Sequence, residues 1–310
     1  MFKEKNKFYY QPLWYLKFFL TIIFFISLCL GFYFCCFKDD WYLNEISFTF
    51  SANASTPEVI RYPYTAFWNA EALLSFYSVQ VALITFVFLL SATIFHKFEE
   101  KVYILSTRFK NILVCWNMIM IMIFWYGAFN LCTIKGGLSE YCTSQLVLSL
   151  VTHFFCPVVF IFYVYLNGCK SNINIKQCAY IDLTLTLLYP IVYFFYIILR
   201  AKLIMKNDTF AAYNKVWVPS YWYDFMNFDN PMLNVPKPLY YILFLIFFII
   251  LYSIIWFGLT YISNKINSYK VRKGWVVGDD PYSLFSIEAQ EVISKLTNEL
   301  QQLKEQFKNI

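Results

Sequence analysis

Six stretches of this 310-residue chain, at 18–37, 72–95, 111–132, 145–166, 179–199 and 239–262, run for 20 to 24 residues almost without charge. About 20 residues rising 1.5 Å each cross a hydrocarbon core of about 30 Å. In that core every backbone N–H and C=O must find its partner inside the protein, which admits helices and closed barrels only. Blocks this long and this continuously apolar are helices. Charged residues make up 14% of the chain and hydrophobic residues 60%, whereas a water-soluble domain needs about 25% charged. The expected fold is therefore all-α: a polytopic membrane protein with six transmembrane helices over 1–262, followed by a cytoplasmic tail at 263–310 that carries a further helix.

The first block is longer than the apolar core of a signal peptide, and no small-residue cleavage site follows "FCCFKDDW", so it is expected to remain as a helix. Lys and Arg set the orientation. The segments that are inner when both termini are cytoplasmic hold 13 of them and the outer segments 8, in the sense of the positive-inside rule, although the fifth connection runs against it. These charges flank helices and read as headgroup anchors, which argues against nucleic acid as a partner.

Nine cysteines sit mostly inside the apolar blocks, where Cys serves as a small hydrophobe. Cys132 and Cys142 bracket an outer loop and could pair in an oxidising compartment. No Cys-x-x-Cys and no His/Cys ligand spacing occurs, so neither a metal nor another cofactor is expected. No internal repeat or inverted pair of broken helices is visible, which weighs against a transporter. Two long outer loops, 38–68 and 205–238, are rich in Tyr and Trp and are read as lids at the membrane surface. In the tail, "GDDPYSLF" offers a helix start. After it Ala289, Ile293, Leu296, Leu300, Leu303, Phe307 and Ile310 recur at alternating spacings of four and three. Such a seam either joins a partner or a second copy, or packs on the protein itself.

Only His153 and Asp182 bring an imidazole or a carboxylate into the blocks. His153 lies about 12 Å below the outer end of its helix. Pro157, four residues on, has no N–H to give the carbonyl of His153 its helical partner. On the second block, Ser78 and Gln80 lie about 9 and 12 Å deep from the same side. A hydroxyl, an imidazole and an amide in one layer are the parts of a nucleophilic ester-cleaving site. The bland alternative is polar glue between helices. Asp182 belongs to the opposite face, too far away to orient His153. Asp224, in the second aromatic loop, is better placed.

At these residues the chain resembles a known family. "SFYSVQ" on the second block, "HFFCP" on the fourth, "LLYPIVYFFYIILR" on the fifth and "WVPSYWYDFMNFDNP" after it are similar to the androgen-induced/androgen-dependent hydrolase superfamily and its bacterial relatives. Members of that family have about six helices and an intramembrane Thr–His pair that cleaves fatty-acid esters. The resemblance spans roughly 65–262. It implies His153 as base and Ser78 in the place of the threonine nucleophile, while Ala82 stands where the relatives carry asparagine. Gln80 or Tyr193 is then the oxyanion donor, and Tyr189, Tyr193, Trp222 and Asp224 line the pocket for a membrane lipid. The rival expectation is a noncatalytic membrane subunit or scaffold that recruits a cytoplasmic protein through its coiled-coil tail.

Overall fold

The computed structural model describes residues 12–42, 46–49, 58–61, 65–133, 142–168, 172–206 and 235–272. The chain is an all-α polytopic membrane protein, with six helices long and apolar enough to cross a bilayer. Helix α1 (Pro12–Tyr33) ends in a π-helical turn at Phe34–Lys38. The connection that follows holds an antiparallel pair of strands, β1 (Ile46–Thr49) and β2 (Glu58–Arg61), with Ile46 opposite Arg61. Each four-residue run carries two β-branched residues, which favour extended pairing. The second span is two helices, α2 (Thr65–Ser75) and α3 (Tyr77–Ile94), parted at Phe76. Helix α4 (Thr107–Thr133) returns across the bundle. The fourth span is α5 (Thr143–Leu150), a π-helical turn at Val151–Phe155, and α6 (Cys156–Tyr163). The last two are α7 (Ile175–Lys206) and α8 (Lys237–Arg272). Helix α8 runs ten residues beyond the boundary expected at 262, because the polar segment after it still has helix-forming residues and no breaker before Arg272. Helix α4 occupies the middle of the bundle, packing against α3, α6, α7 and α8. Leu113, Val114 and Met120 on it are completely buried.

The charges flanking the spans do more than anchor headgroups. At the bundle end opposite the hairpin, Lys17 of α1 lies 2.8 Å from Glu99, and Lys110 of α4 lies 2.6 Å from Glu99 and 2.7 Å from Glu100. His96 accepts from Lys17, and Tyr163 of α6 donates to Glu99 at 3.3 Å. Lys17 and Lys110 have no exposed surface. Loss of hydration on this scale is tolerable only because each charge meets an opposite one. Beside this cluster Arg108 grips Asp182 of α7, Nε to Oδ2 at 3.0 Å and Nη2 to Oδ1 at 2.6 Å, and Tyr103 donates to Asp182 at 2.9 Å. Burial and the neighbouring Asp182 carboxylate raise the Tyr103 phenol well above its ordinary pKa. Near the hairpin Arg200 of α7 forms a second two-point contact, with Glu71 of α2. Ion pairs thus fasten both ends of the apolar bundle.

Candidate functional site

The break at Phe76 decides where Ser78 sits. Phe76 is extended, with φ −70° and ψ 133°, so the helix restarts at Tyr77 and Ser78 falls in its first turn. A break inside the membrane leaves backbone groups that need partners. Tyr193 of α7 supplies two of them: its hydroxyl accepts from the Tyr77 N–H at 3.0 Å and donates to the Ser75 carbonyl at 3.1 Å. The Gln80 amide donates to the Leu74 carbonyl at 2.9 Å, and Tyr189 donates to Gln80 Oε1 at 3.1 Å. These three side chains therefore splice the broken span. Gln80 is also two residues from Ser78, hence on another face of α3. The structure does not bring it to the Ser78–His153 pair.

His153 owes its place to a second irregularity. The Cys156 N–H donates to the Val151 carbonyl, five residues back, so the helix widens by one residue at 151–155. Pro157, which cannot donate to the His153 carbonyl, sits in the first turn of α6 directly after the widening. π-Turns of this kind are common at functional sites. This one presents the His153 ring to α3: Ser78 Oγ and His153 Nε2 are 2.6 Å apart. The two residues are 75 positions apart in the chain, and the shared depth inferred from sequence is realised as direct contact.

The proton on the ring can be placed from its partners. Thr152 donates its hydroxyl to the Leu148 carbonyl at 2.7 Å. His153 Nδ1 faces Thr152 Oγ1 at 2.7 Å and the Ser149 carbonyl at 2.9 Å, both of which then act as acceptors. Nδ1 accordingly carries the hydrogen, and Nε2 is left to accept from Ser78. A backbone carbonyl, rather than a carboxylate, orients the imidazole. Asp182 is held by Arg108 and Tyr103 at the far end of the bundle, as its position on the opposite face implied. Ser78 is 4% exposed, and His153 is half-buried against Phe124, ring centroids 5.5 Å apart.

The first N–H groups of a helix have no partner within it and carry a partial positive charge. In α3 these belong to Tyr77, Ser78 and Val79, and Tyr193 takes that of Tyr77. The N–H groups of Ser78 and Val79 therefore lie at the positive end of the helix, in the same turn as the Ser78 hydroxyl. Sequence reasoning missed them because the apolar block runs through Phe76 without a Gly or Pro to mark a break.

Elsewhere in the bundle, Ile123 and Tyr126 of α4 and Phe244 and Phe248 of α8 line a groove of about 590 Å³. Ile123, Phe244 and Phe248 also line a smaller apolar cavity beside Tyr77 and Tyr193. Cys142 carries a free thiol, with Ser144 Oγ 3.2 Å from its sulfur. Trp222, Asp224 and the heptad residues of the tail lie outside the described residues. Among the described residues no group of three or more His, Cys, Asp or Glu side chains is placed to hold a metal ion.

The role of the widened turn is testable. Replacing Pro157 by Ala restores an N–H for the His153 carbonyl and lets residues 151–155 relax to a regular helix. Removing one residue from the turn rotates the ring by about 100° relative to α6. The expected result is a variant with unchanged or higher thermal stability and a marked loss of Ser78 reactivity. Full reactivity in a folded variant would show that the π-turn does not position His153. No protein family model matches the chain, and neither a curated protein nor a solved structure is similar to it.

Proposed function

We propose that this membrane protein is an intramembrane ester hydrolase acting on a fatty-acid ester, with Ser78 as nucleophile and His153 as general base. The observation that carries the reading is the 2.6 Å contact from Ser78 Oγ to His153 Nε2, with Nδ1 facing the Ser149 carbonyl and Thr152 Oγ1. This is the nucleophile–base–orienter arrangement that activates a hydroxyl. Nε2 takes the Ser78 proton as Oγ attacks the ester carbonyl, forming an acyl-enzyme, and returns it to the leaving alkoxide. A water molecule then repeats the sequence and frees the acid. The imidazolium formed in between is stabilised by the Ser149 carbonyl. The carbonyl oxygen, as it gains charge, is best met by the N–H groups of Ser78 and Val79 at the start of α3, since donors aimed at that oxygen carry much of such catalysis. Gln80 and Tyr193 support this geometry by holding the helix break.

The resemblance to the androgen-induced/androgen-dependent hydrolases supports the same assignment. The conversion of a threonine to Ser78 keeps the hydroxyl, and Tyr189 and Arg200 of the similar run on α7 hold α3 and α2. The acyl chain is assigned to the groove of Ile123, Tyr126, Phe244 and Phe248, whose lining is apolar. Both termini are proposed to be cytoplasmic from the Lys/Arg bias, with the Ser78 layer in the outer half. The heptads of 289–310 are proposed to join a cytoplasmic partner or a second copy. Labelling of the tail from outside intact cells would overturn that orientation.

Purified protein in micelles is expected to hydrolyse a long-chain acyl ester faster than an acetyl ester of the same alcohol, because only the long chain fills the groove. A preference for the acetyl ester would remove the lipid assignment. Absence of hydrolysis with every chain length would favour the noncatalytic reading.

A further inference from the structure

The nucleophile and its base belong to different parts of the bundle. His153 is held by the π-turn of the fourth span, whereas Ser78 follows the break at Phe76. Whatever fixes the start of α3 therefore fixes the pair. Helix α3 packs chiefly on α1 and α4. Its first residue, Tyr77, reaches instead toward α7 and α8. The Tyr77 ring lies against that of Tyr189, centroids 5.4 Å apart, and meets Tyr193 edge-on at 5.2 Å. Tyr252 of α8 donates its hydroxyl to that of Tyr77 at 2.7 Å. Both phenols are buried, Tyr252 at 2% exposed and Tyr77 at 3%.

Two phenols that meet through their hydroxyls bridge a gap between the helices that carry them. Part of that gap is empty, since Tyr77, Tyr193 and Tyr252 border an apolar cavity of about 50 Å³. In a close-packed interior the neighbours hold a side chain in place. Beside Tyr77 there is room, so the hydroxyl bond has a larger share in setting where the ring stops. Removing the Tyr252 hydroxyl strands that of Tyr77. Apart from the three tyrosines, the side chains around the cavity are hydrocarbon, and the Tyr193 hydroxyl is already engaged by the backbone of the break. A stranded buried hydroxyl is disfavoured, which favours movement of the ring toward another partner. Phe76, just before Tyr77, is extended and lies outside the helical ladder of α3. A shift of Tyr77 is passed along the backbone to Ser78, the next residue.

We propose that Tyr252 is a positioning residue for the nucleophile. It acts through Tyr77 and so makes α8 part of what keeps Ser78 Oγ within reach of His153 Nε2. The assignment rests on the hydrolase reading and deepens it. A role of this kind is felt in turnover rather than in binding. The groove of Ile123, Tyr126, Phe244 and Phe248 keeps its walls when the Tyr252 hydroxyl is lost, while the alignment of attack suffers.

The test compares the unaltered full chain in micelles with Tyr252→Phe, Tyr77→Phe and the double variant, on one long-chain acyl ester. Each substitution removes one oxygen and keeps the ring, and thermal melting confirms folding. Tyr252→Phe is expected to lower kcat about tenfold, the worth of one neutral hydrogen bond, with KM nearly unchanged. Tyr77→Phe should act alike, and it reads the same bond if Tyr252→Phe does not fold. The double variant should be no worse than the more damaged single one, because both changes remove one interaction. An unchanged kcat in folded Tyr252→Phe would overturn the assignment and leave the hydrolase reading standing. A loss carried by KM, or losses that multiply in the double variant, would do the same. Absence of hydrolysis in the unaltered protein would overturn the hydrolase reading and this assignment with it.

Discussion

Changing His153 to Gln is expected to lower ester hydrolysis by about 10²–10⁴-fold, the usual worth of a positioned general base. The KM should be nearly unchanged, because the imidazole contacts the nucleophile and not the acyl chain. Glutamine is chosen because its amide can still bond Ser78, so the loss reads the missing base rather than a hole. Ser78→Ala should reduce hydrolysis to the level of protein-free micelles. The double variant should be no worse than Ser78→Ala alone, since the two residues act as a unit. Initial rates on one long-chain ester, with circular dichroism and thermal melting to confirm folding, give the comparison. A His153→Gln protein retaining more than about a tenth of the activity would fall outside the range for general-base catalysis and remove His153 from the mechanism.

The second large effect concerns stability. Arg108→Met strips Asp182 of its two-point partner while the carboxylate stays completely buried. Breaking a buried pair from one side costs about 3–5 kcal/mol, much of it the penalty of the stranded charge. Tyr103 remains, but one neutral hydroxyl at 2.9 Å does not neutralise a carboxylate. The variant should melt well below the unaltered protein or fail to accumulate. Removing both charges, as Arg108→Met with Asp182→Leu, should restore most of the loss, because apolar groups of similar volume replace buried ion pairs at little cost. Melting temperatures in one detergent for the three proteins test this. A double variant as unstable as Arg108→Met would mean that the helices depend on the charges themselves rather than on their mutual neutralisation.

The two results bear on different parts of the chain, and the difference tracks what the sequence makes legible. Helices were readable because a membrane leaves the backbone few options, and an apolar block of sufficient length states its own conformation. The Ser78–His153 pair was readable for a related reason: polar groups inside such blocks are few, and depth along a helix is a matter of counting. Facing direction was harder. Gln80 shares the depth of Ser78 but not its face, and the structure uses it to cap the Leu74 carbonyl at the break. That break was invisible because Phe76 is as compatible with an extended residue as with a helix. Its partners, Tyr189 and Tyr193, come from a helix more than a hundred residues later.

Charge was misjudged in the same way. Lys17, Glu99, Lys110 and Arg108 lie at the margins of the apolar blocks, where Lys and Arg normally face headgroups. Three elements converge to pair Lys17, Glu99 and Lys110, and no local pattern announces such a meeting.

The most direct test of the central claim is covalent capture by a fluorophosphonate, which phosphonylates a serine only when a base activates it. Full-length protein in micelles is treated with the probe, digested and mapped by mass spectrometry. The account predicts one adduct on Ser78, absent after His153→Gln and diminished after Pro157→Ala, with other serines unmodified. No adduct on Ser78 in folded protein, or an adduct that persists undiminished without the imidazole, would contradict it.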